Sequence, residues 1–250
     1  GATGYLHNHA RMWFASIWIF TLGLPWELGA DFFLRHLIDG DPASNTLSWR
    51  WVAGLHTPGK TYLATADNIA RNTEGRFAPR GLATVALPLQ GAAHPAPRLA
   101  PLGDTADPTA PALILITEED LSAEPVAACP VAGIAVLSHP AGRSPLAVAP
   151  GVLAFTTAAL DDALARLAAP QARRFGAAEL AALVDHAAAL GARQIVTAHA
   201  PVGPVARLLA EVQRLAEPRD LSLVRVLRPH DRDAWPHATH GFFRFREAVM

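Results

Sequence analysis

The chain has 250 residues, 51% of them apolar and 17% charged, with a formal net charge of −1. That balance allows one large domain or two small ones with real cores. It excludes a disordered chain and a polybasic protein held to nucleic acid by bulk charge, though not a local basic patch. The one cysteine, Cys129, excludes a disulfide framework and a thiolate metal cluster, so a reducing, cytoplasmic setting is the default expectation.

Residues 5–23 read as a largely buried helix stopped by Gly23 and Pro25. Its segment MWFASIWIFTLGL (12–24) superficially resembles a signal-peptide core. The run is too short to span a bilayer, and His7, Asn8, His9 and Arg11 would make an odd leader. A helix pattern that begins almost at Gly1 reads as a sequence whose start was removed or as a fragment. Residues 26–38 form a second predicted helix, with Trp26, Ala30, Phe33 and Leu37 on one stripe and an Asp31–Arg35 i,i+4 pair outside. A third helix is signalled by Asp41 as cap, Pro42 at the first helical position and Gly54 after the end. Residues 62–72 give a short fourth helix, and no strand is expected before residue 80.

From 81 to 111 the chain is proline- and alanine-rich without a period and reads as an extended linker. Beyond it, ALILIT (112–117), GIAVLS (133–138), VLAFT (152–156), QIVTAH (194–199) and LSLVRVL (221–227) are short apolar runs of buried-strand type. Helical stretches at 158–168, 177–190 and 203–216 separate the later ones. This alternation predicts an α/β domain over 112–250 with a mainly parallel sheet, joined to an all-helical segment over 1–80.

Five of the six tryptophans lie in the first 51 residues, and the polar residues there are periodic. Asn8, Arg11 and Met12 are at i, i+3 and i+4 on one helix face. Asn45 and Trp49 share another, while Trp51 lies about 200° around from Trp49. Taken one at a time these have plain readings. Tryptophans at helical spacing are usually core, DGD can end one helix and cap the next, and an Asn–Arg pair is ordinarily a solvated face. Taken together and in order, GYLHNHARM (4–12), PWELGADFF (25–33), LIDGDPASN (37–45), WRWVAG (49–54) and NIARNT (68–73) resemble the C-terminal part of the FAD-binding helical domain of the photolyase/cryptochrome family. The resemblance covers about residues 4–77.

The resemblance implies FAD as cofactor and UV-damaged DNA as partner. It pairs Arg11 with Asp39 beside the isoalloxazine, where a guanidinium stabilises the anionic reduced ring. Asn8, Asp41 and Asn45 also fall at flavin-contacting positions, with Asn45 facing N5; asparagine there is photolyase-like. Trp49 matches the flavin-proximal member of a tryptophan electron-transfer chain and Trp26 its middle member. Trp51 and Met12 match positions that contact the flipped pyrimidine dimer. Three functions follow. The first is light-driven repair of cyclobutane dimers by a carbon–carbon lyase, favoured by Asn45, Trp51 and Met12. The second is a cryptochrome-like blue-light photosensor without repair. The third is a non-photochemical remnant or assembly module, since the family draws its diphosphate and adenine contacts largely from helices upstream of HNHARM.

Other patterns carry less. GLHTPGKT (54–61) satisfies the P-loop formula, but a tryptophan-bearing helix rather than a strand precedes it, and it also matches the family's segment after WRW. His7 and His9, at i,i+2, should point apart on a helix, so no metal site is expected. Ser16, Ser44 and Ser48 lack a nucleophile-elbow context. In the second unit Thr117, Ser138, Thr156 and His199 are expected at the carboxyl ends of strands, where ligands of such sheets gather. The Thr117–Glu118–Glu119–Asp120 run reads as a solvated turn. The aromatic tail 230–245 is expected mainly to pack.

Overall fold

The computed structural model describes residues 3–96, 98–122, 129–239 and 241–250. The fold is helical plus α/β, in two compact units: Gly1–Pro95 with Ala141–Phe155, and Ala96–Pro140 with Thr156–Met250.

In the first unit, helix α1 (Asn8–Ser16) runs on as a π-helical turn, Ile17–Thr21, before Gly23 and Pro25 stop it. The helix starts three residues later than its apolar pattern suggests, because His7 is its cap: the ring Nδ1 accepts the backbone N–H of His9 at 3.3 Å. That overturns the expectation that His7 and His9 point apart. With His7 outside the helix the two rings meet edge-on at 5.4 Å. Among the described residues no group of three or more His, Cys, Asp or Glu is placed to hold a metal.

Helix α2 (Trp26–His36) turns Ala30 and Phe33 inward and carries the Asp31–Arg35 ion pair at 3.1 Å. Helix α3 (Pro42–Val52) begins as its sequence dictates. The Asp41 carboxylate accepts the Ser44 N–H at 2.6 Å, Pro42 occupies the first turn, and Gly54 follows in the left-handed region. Helix α4 (Ala66–Asn72) is shorter than its predicted span because Thr65 caps it. The buried side chains Ala15, Ile19, Ala30, Phe33, Leu37, Trp49, Val52 and Leu55 make one core. Residues 83–94 contain no helix or strand but are tied down. Leu89 N–H donates to the Ala53 carbonyl at 3.0 Å, and the His94 ring nitrogen lies 2.7 Å from the Leu55 carbonyl oxygen.

The second unit holds a five-stranded parallel sheet, β1 (Ala112–Thr117), β2 (Val131–Leu137), β3 (Arg173–Phe175), β4 (Gln194–Ala198) and β5 (Ser222–Val226), in the order β3-β2-β1-β4-β5. One face of β1, Leu113 and Leu115, packs with helices α6 (Leu180–Ala189) and α7 (Pro204–Ala216). The other, Ile114 and Ile116, packs with Leu160 and Leu164 of helix α5 (Pro150–Arg166). Both faces are therefore covered, which is why the strands are continuous apolar runs. One expected strand is wrong. Val152–Thr156 lies inside α5, because its apolar run continues at helical period through AALDDALAR. The strand that replaces it is β3, whose ArgArgPhe gives no apolar run to find.

Candidate functional site

Helices α1, α2 and α3 and the turn between the last two enclose a cavity of about 140 Å³. Its wall includes Asn8, Arg11, Met12, Asp39, Gly40, Asp41, Asn45, Ser48 and Trp49, over an apolar floor that includes Ala15, Phe33 and Val52. Arg11 is held at both ends of its guanidinium. Nε donates to the Leu6 carbonyl at 2.7 Å and Nη2 to the Asp39 carboxylate at 2.8 Å. Asp41 is fixed by its cap bond, and the Asn45 amide nitrogen donates to the Ala30 carbonyl at 2.7 Å. That bond leaves the amide oxygen of Asn45 as the atom able to meet a ligand. The Asn8 amide lies 3.9 Å from the Met12 sulfur, one helical turn away.

Trp49 is buried to 2% exposure, with its ring edge-on to Phe33 at 5.1 Å, Phe14 at 6.3 Å and Trp18 at 6.3 Å. Its Nε1 is buried without a hydrogen-bond partner. Trp26 lies half-buried under the Arg50 guanidinium, 5.8 Å from its ring centroid. Sequence reasoning did not single out Trp18, although its indole N–H donates to the Pro25 carbonyl at 2.8 Å, beside Trp26. Phe14 and Phe32 stack around it, and the aromatic spacing at 14, 18, 32 and 33 was the available signal.

A second, open cavity of about 380 Å³ shares Asn8, Met12 and Ser48 with the first and adds Leu47, Trp51 and His56. Trp51 stacks on Tyr62 with ring centroids 5.8 Å apart and is 39% exposed. Structure thus brings Asn8, Arg11, Met12, Asp39, Asp41, Asn45 and Trp49 to one wall, and Trp51 to the adjoining surface. Trp26 stands outside both linings.

The segment Gly54–Thr61 makes no phosphate cradle. It follows α3, no helix opens at Lys60, and Tyr62 N–H returns to the Val52 carbonyl at 3.2 Å. In the sheet unit, Thr117, Ser138 and His199 do stand at carboxyl ends of strands, whereas Thr156 is helical. The 118–120 run is not a simple solvated turn. Asp120 pairs with Arg228, and Glu118 accepts the His139 N–H at 2.6 Å. Burial, with Asp107 adding to it, pushes the Cys129 thiol up, away from nucleophilic use. Of the aromatic tail, all but His240 of which is described, Trp235 meets His199 edge-on at 5.8 Å. Phe242 and Phe243 at the start of the C-terminal helix α8 (Phe242–Val249) stay 66% and 70% exposed, against the expected packing.

Residues 1–78 match the family described as the FAD binding domain of DNA photolyase. Among curated relatives, the deoxyribodipyrimidine photo-lyase of Streptomyces griseus is 52% identical over 54 residues, 22% of this chain and 12% of that protein. The photo-lyase of Salmonella typhimurium is 43% identical over 61 residues, 24% and 13% of the two chains. That of Vibrio cholerae is 34% identical over 79 residues, 32% and 16%. This chain therefore spans 12 to 16% of the length of these relatives. No solved structure matches it.

FAD is the cofactor of that family, and the wall fits it. A fixed guanidinium suits a negatively charged ring edge, the free oxygen of Asn45 suits a ring N–H, and the orphaned Trp49 Nε1 lies in a residue of the lining. Small-molecule sites usually hold about 300–1,000 Å³, so a cavity of about 140 Å³ is smaller than a whole cofactor site.

Proposed function

We propose, from the match of residues 1–78 to the FAD binding domain of DNA photolyase, that the protein uses light-driven electron transfer to split cyclobutane pyrimidine dimers in DNA. One observation carries the reading: the flavin wall and the open cavity bearing Trp51 share Asn8, Met12 and Ser48, so a flavin edge and a flipped base would meet across the same side chains.

FAD, when bound and reduced, supplies the light-absorbing electron donor. The chain's own residues do the rest. Arg11, whose guanidinium Asp39 keeps in place, would hold positive charge against the ring edge. Asn8, Asp41 and Asn45 would hold the ring, with the amide oxygen of Asn45 as the acceptor offered to it. Trp51, backed by Tyr62, offers a half-open aromatic face on which an extruded dimer stacks, and Met12 fills the space beside it. Trp49, with Trp18 in edge contact and Trp26 beyond it, would serve as the one-electron relay between the flavin and the protein surface. The expected result is protein that is yellow, releases FAD on denaturation, and removes dimers from irradiated DNA only in light. Bound reduced FAD with no dimer loss in light sinks the repair reading.

That second outcome is what a cryptochrome-like photosensor gives, a reading favoured by the Trp49–Trp18 contact and the Trp18 bond to the residue before Trp26. Colourless protein that takes up no added FAD points instead to a non-photochemical assembly module.

A further inference from the structure

The Asp39–Gly40–Asp41 turn has two sides. Its front lines the proposed flavin wall, and its back is occupied by a residue more than a hundred positions away, Arg143. Arg143 stands between β2 and α5, in the segment Ala141–Phe155 that forms one compact unit with the helices and includes the first turns of α5. Its Nη1 donates to the Leu34 carbonyl at 3.4 Å and the Leu37 carbonyl at 3.3 Å. These are carbonyls at the C-terminus of α2, where the helix runs out of its own donors and the dipole favours a cation.

The Leu37 carbonyl is shared: it also accepts the Gly40 N–H at 3.2 Å, the bond that closes the turn. Gly40 makes this possible. A Cβ there would fall 2.9 Å from the Leu34 oxygen and 3.0 Å from Arg143 Nη1, so any side chain would displace the guanidinium. The segment does not hang on this contact alone. Ala149 N–H donates to the Arg35 carbonyl at 2.8 Å, Arg35 Nη1 donates to the Ala147 carbonyl at 3.2 Å, and Val148 is buried between those anchors.

We propose that Arg143 is a positioning residue for the flavin wall: it fixes the turn whose front side presents Asp39 to Arg11 and Asp41 to the cofactor. The consequence for flavin affinity rests on the proposed flavin site; the consequence for the turn does not.

The test compares the full chain with Arg143→Ala, Arg143→Lys and, as a control on the opposite end of α5, Arg166→Ala. Two quantities are read: hydrogen exchange of the amides of residues 38–45, and the dissociation constant for added FAD from flavin fluorescence. In Arg143→Ala the exchange of these amides should rise about tenfold and FAD binding weaken about tenfold, the size of one lost charge-assisted hydrogen bond. Exchange in β1 and β4 should stay unchanged. Arg143→Lys, which keeps a cation over the two carbonyls, should recover most of both losses, and Arg166→Ala should lose neither. Unchanged exchange at 38–45 in Arg143→Ala overturns the proposal. So does exchange that rises throughout the chain, which marks general unfolding, or a lysine variant no better than alanine. If the unsubstituted chain takes up no FAD, the flavin reading fails while the exchange result still decides the role of Arg143.

Discussion

Trp49 is held against helix α2 because position 29 is glycine. A Cβ added there would lie 2.1 Å from Cη2 of the indole, far inside contact distance. Gly29→Ala therefore sets two effects against each other. Alanine gains about 1 kcal/mol of helix propensity, but overpacking a filled core costs about 1–3 kcal/mol. Both groups are rigid, one a backbone Cβ and the other a buried ring edge, so the steric cost wins. The variant should unfold at lower urea, and the ring it moves is the one expected beside the flavin, so retained FAD should fall as well. An unchanged urea midpoint would mean that the helices separate more freely than their packing suggests. The same residue also marks what sequence cannot supply. That Trp49 shares a face with Asn45 follows from their spacing. That its Nε1 ends buried without a partner, and that Trp18 is a ring in contact with it, depends on how α1 and α3 pack.

Among the elements, legibility follows from where each boundary signal lies. Helix α3 was readable at both ends because its start is written in Asp41 and Pro42 and its stop in Gly54. The start of helix α1 is not legible because histidine is not a usual cap, and nothing in LHNHAR announces that the ring of His7 will take that role. The edge strand β3 escaped notice for the opposite reason to a core strand. Its two arginines are exposed, which keeps an edge from pairing with other chains and also removes the apolar signal. Val152–Thr156 shows the reverse error, an apolar run too short to tell strand from helix until the residues after it are counted in. The cap of α3 also allows a test of its own. Asp41→Ala should cost about 1 kcal/mol by loss of the bond to Ser44 N–H, whereas Asp41→Asn keeps an acceptor there and should cost much less. If Asp41 also meets the flavin, both variants lower FAD affinity. Stability that separates the two while affinity does not would assign the two roles of one carboxylate; equal stability losses would deny the cap its importance.

At the scale of the whole molecule, the proposed chemistry sits in one unit, and the histidines with a resolved shift sit in the other. His199, at the carboxyl end of β4, is pushed below the ordinary histidine range chiefly by burial. Arg225 lowers it further, and Asp104 and Asp231 oppose the shift in part. His186 on α6 is lowered for the same leading reason, with Arg173 adding to it. A group that binds its proton less readily when folded than when unfolded stabilises the fold above its unfolded pKa, about 6.5 for histidine. That stability is lost as the pH falls through the lower, folded value. The sheet unit should therefore weaken on acidification below about pH 6.5, before the carboxylates of the chain begin to protonate. Urea unfolding at pH 8 and pH 5.5, followed through exchange of the β1 and β4 amides, measures the effect. His199→Gln should flatten the dependence by removing one of its two resolved histidine contributors, because glutamine keeps a polar group against Trp235 without a proton to gain. The wall that carries Arg11, Asp39 and Asp41 contains no histidine. Exchange at residues 38–45 should accordingly change less over that range than exchange in the sheet. A variant as pH-sensitive as the parent would place the acid response on other groups of the chain.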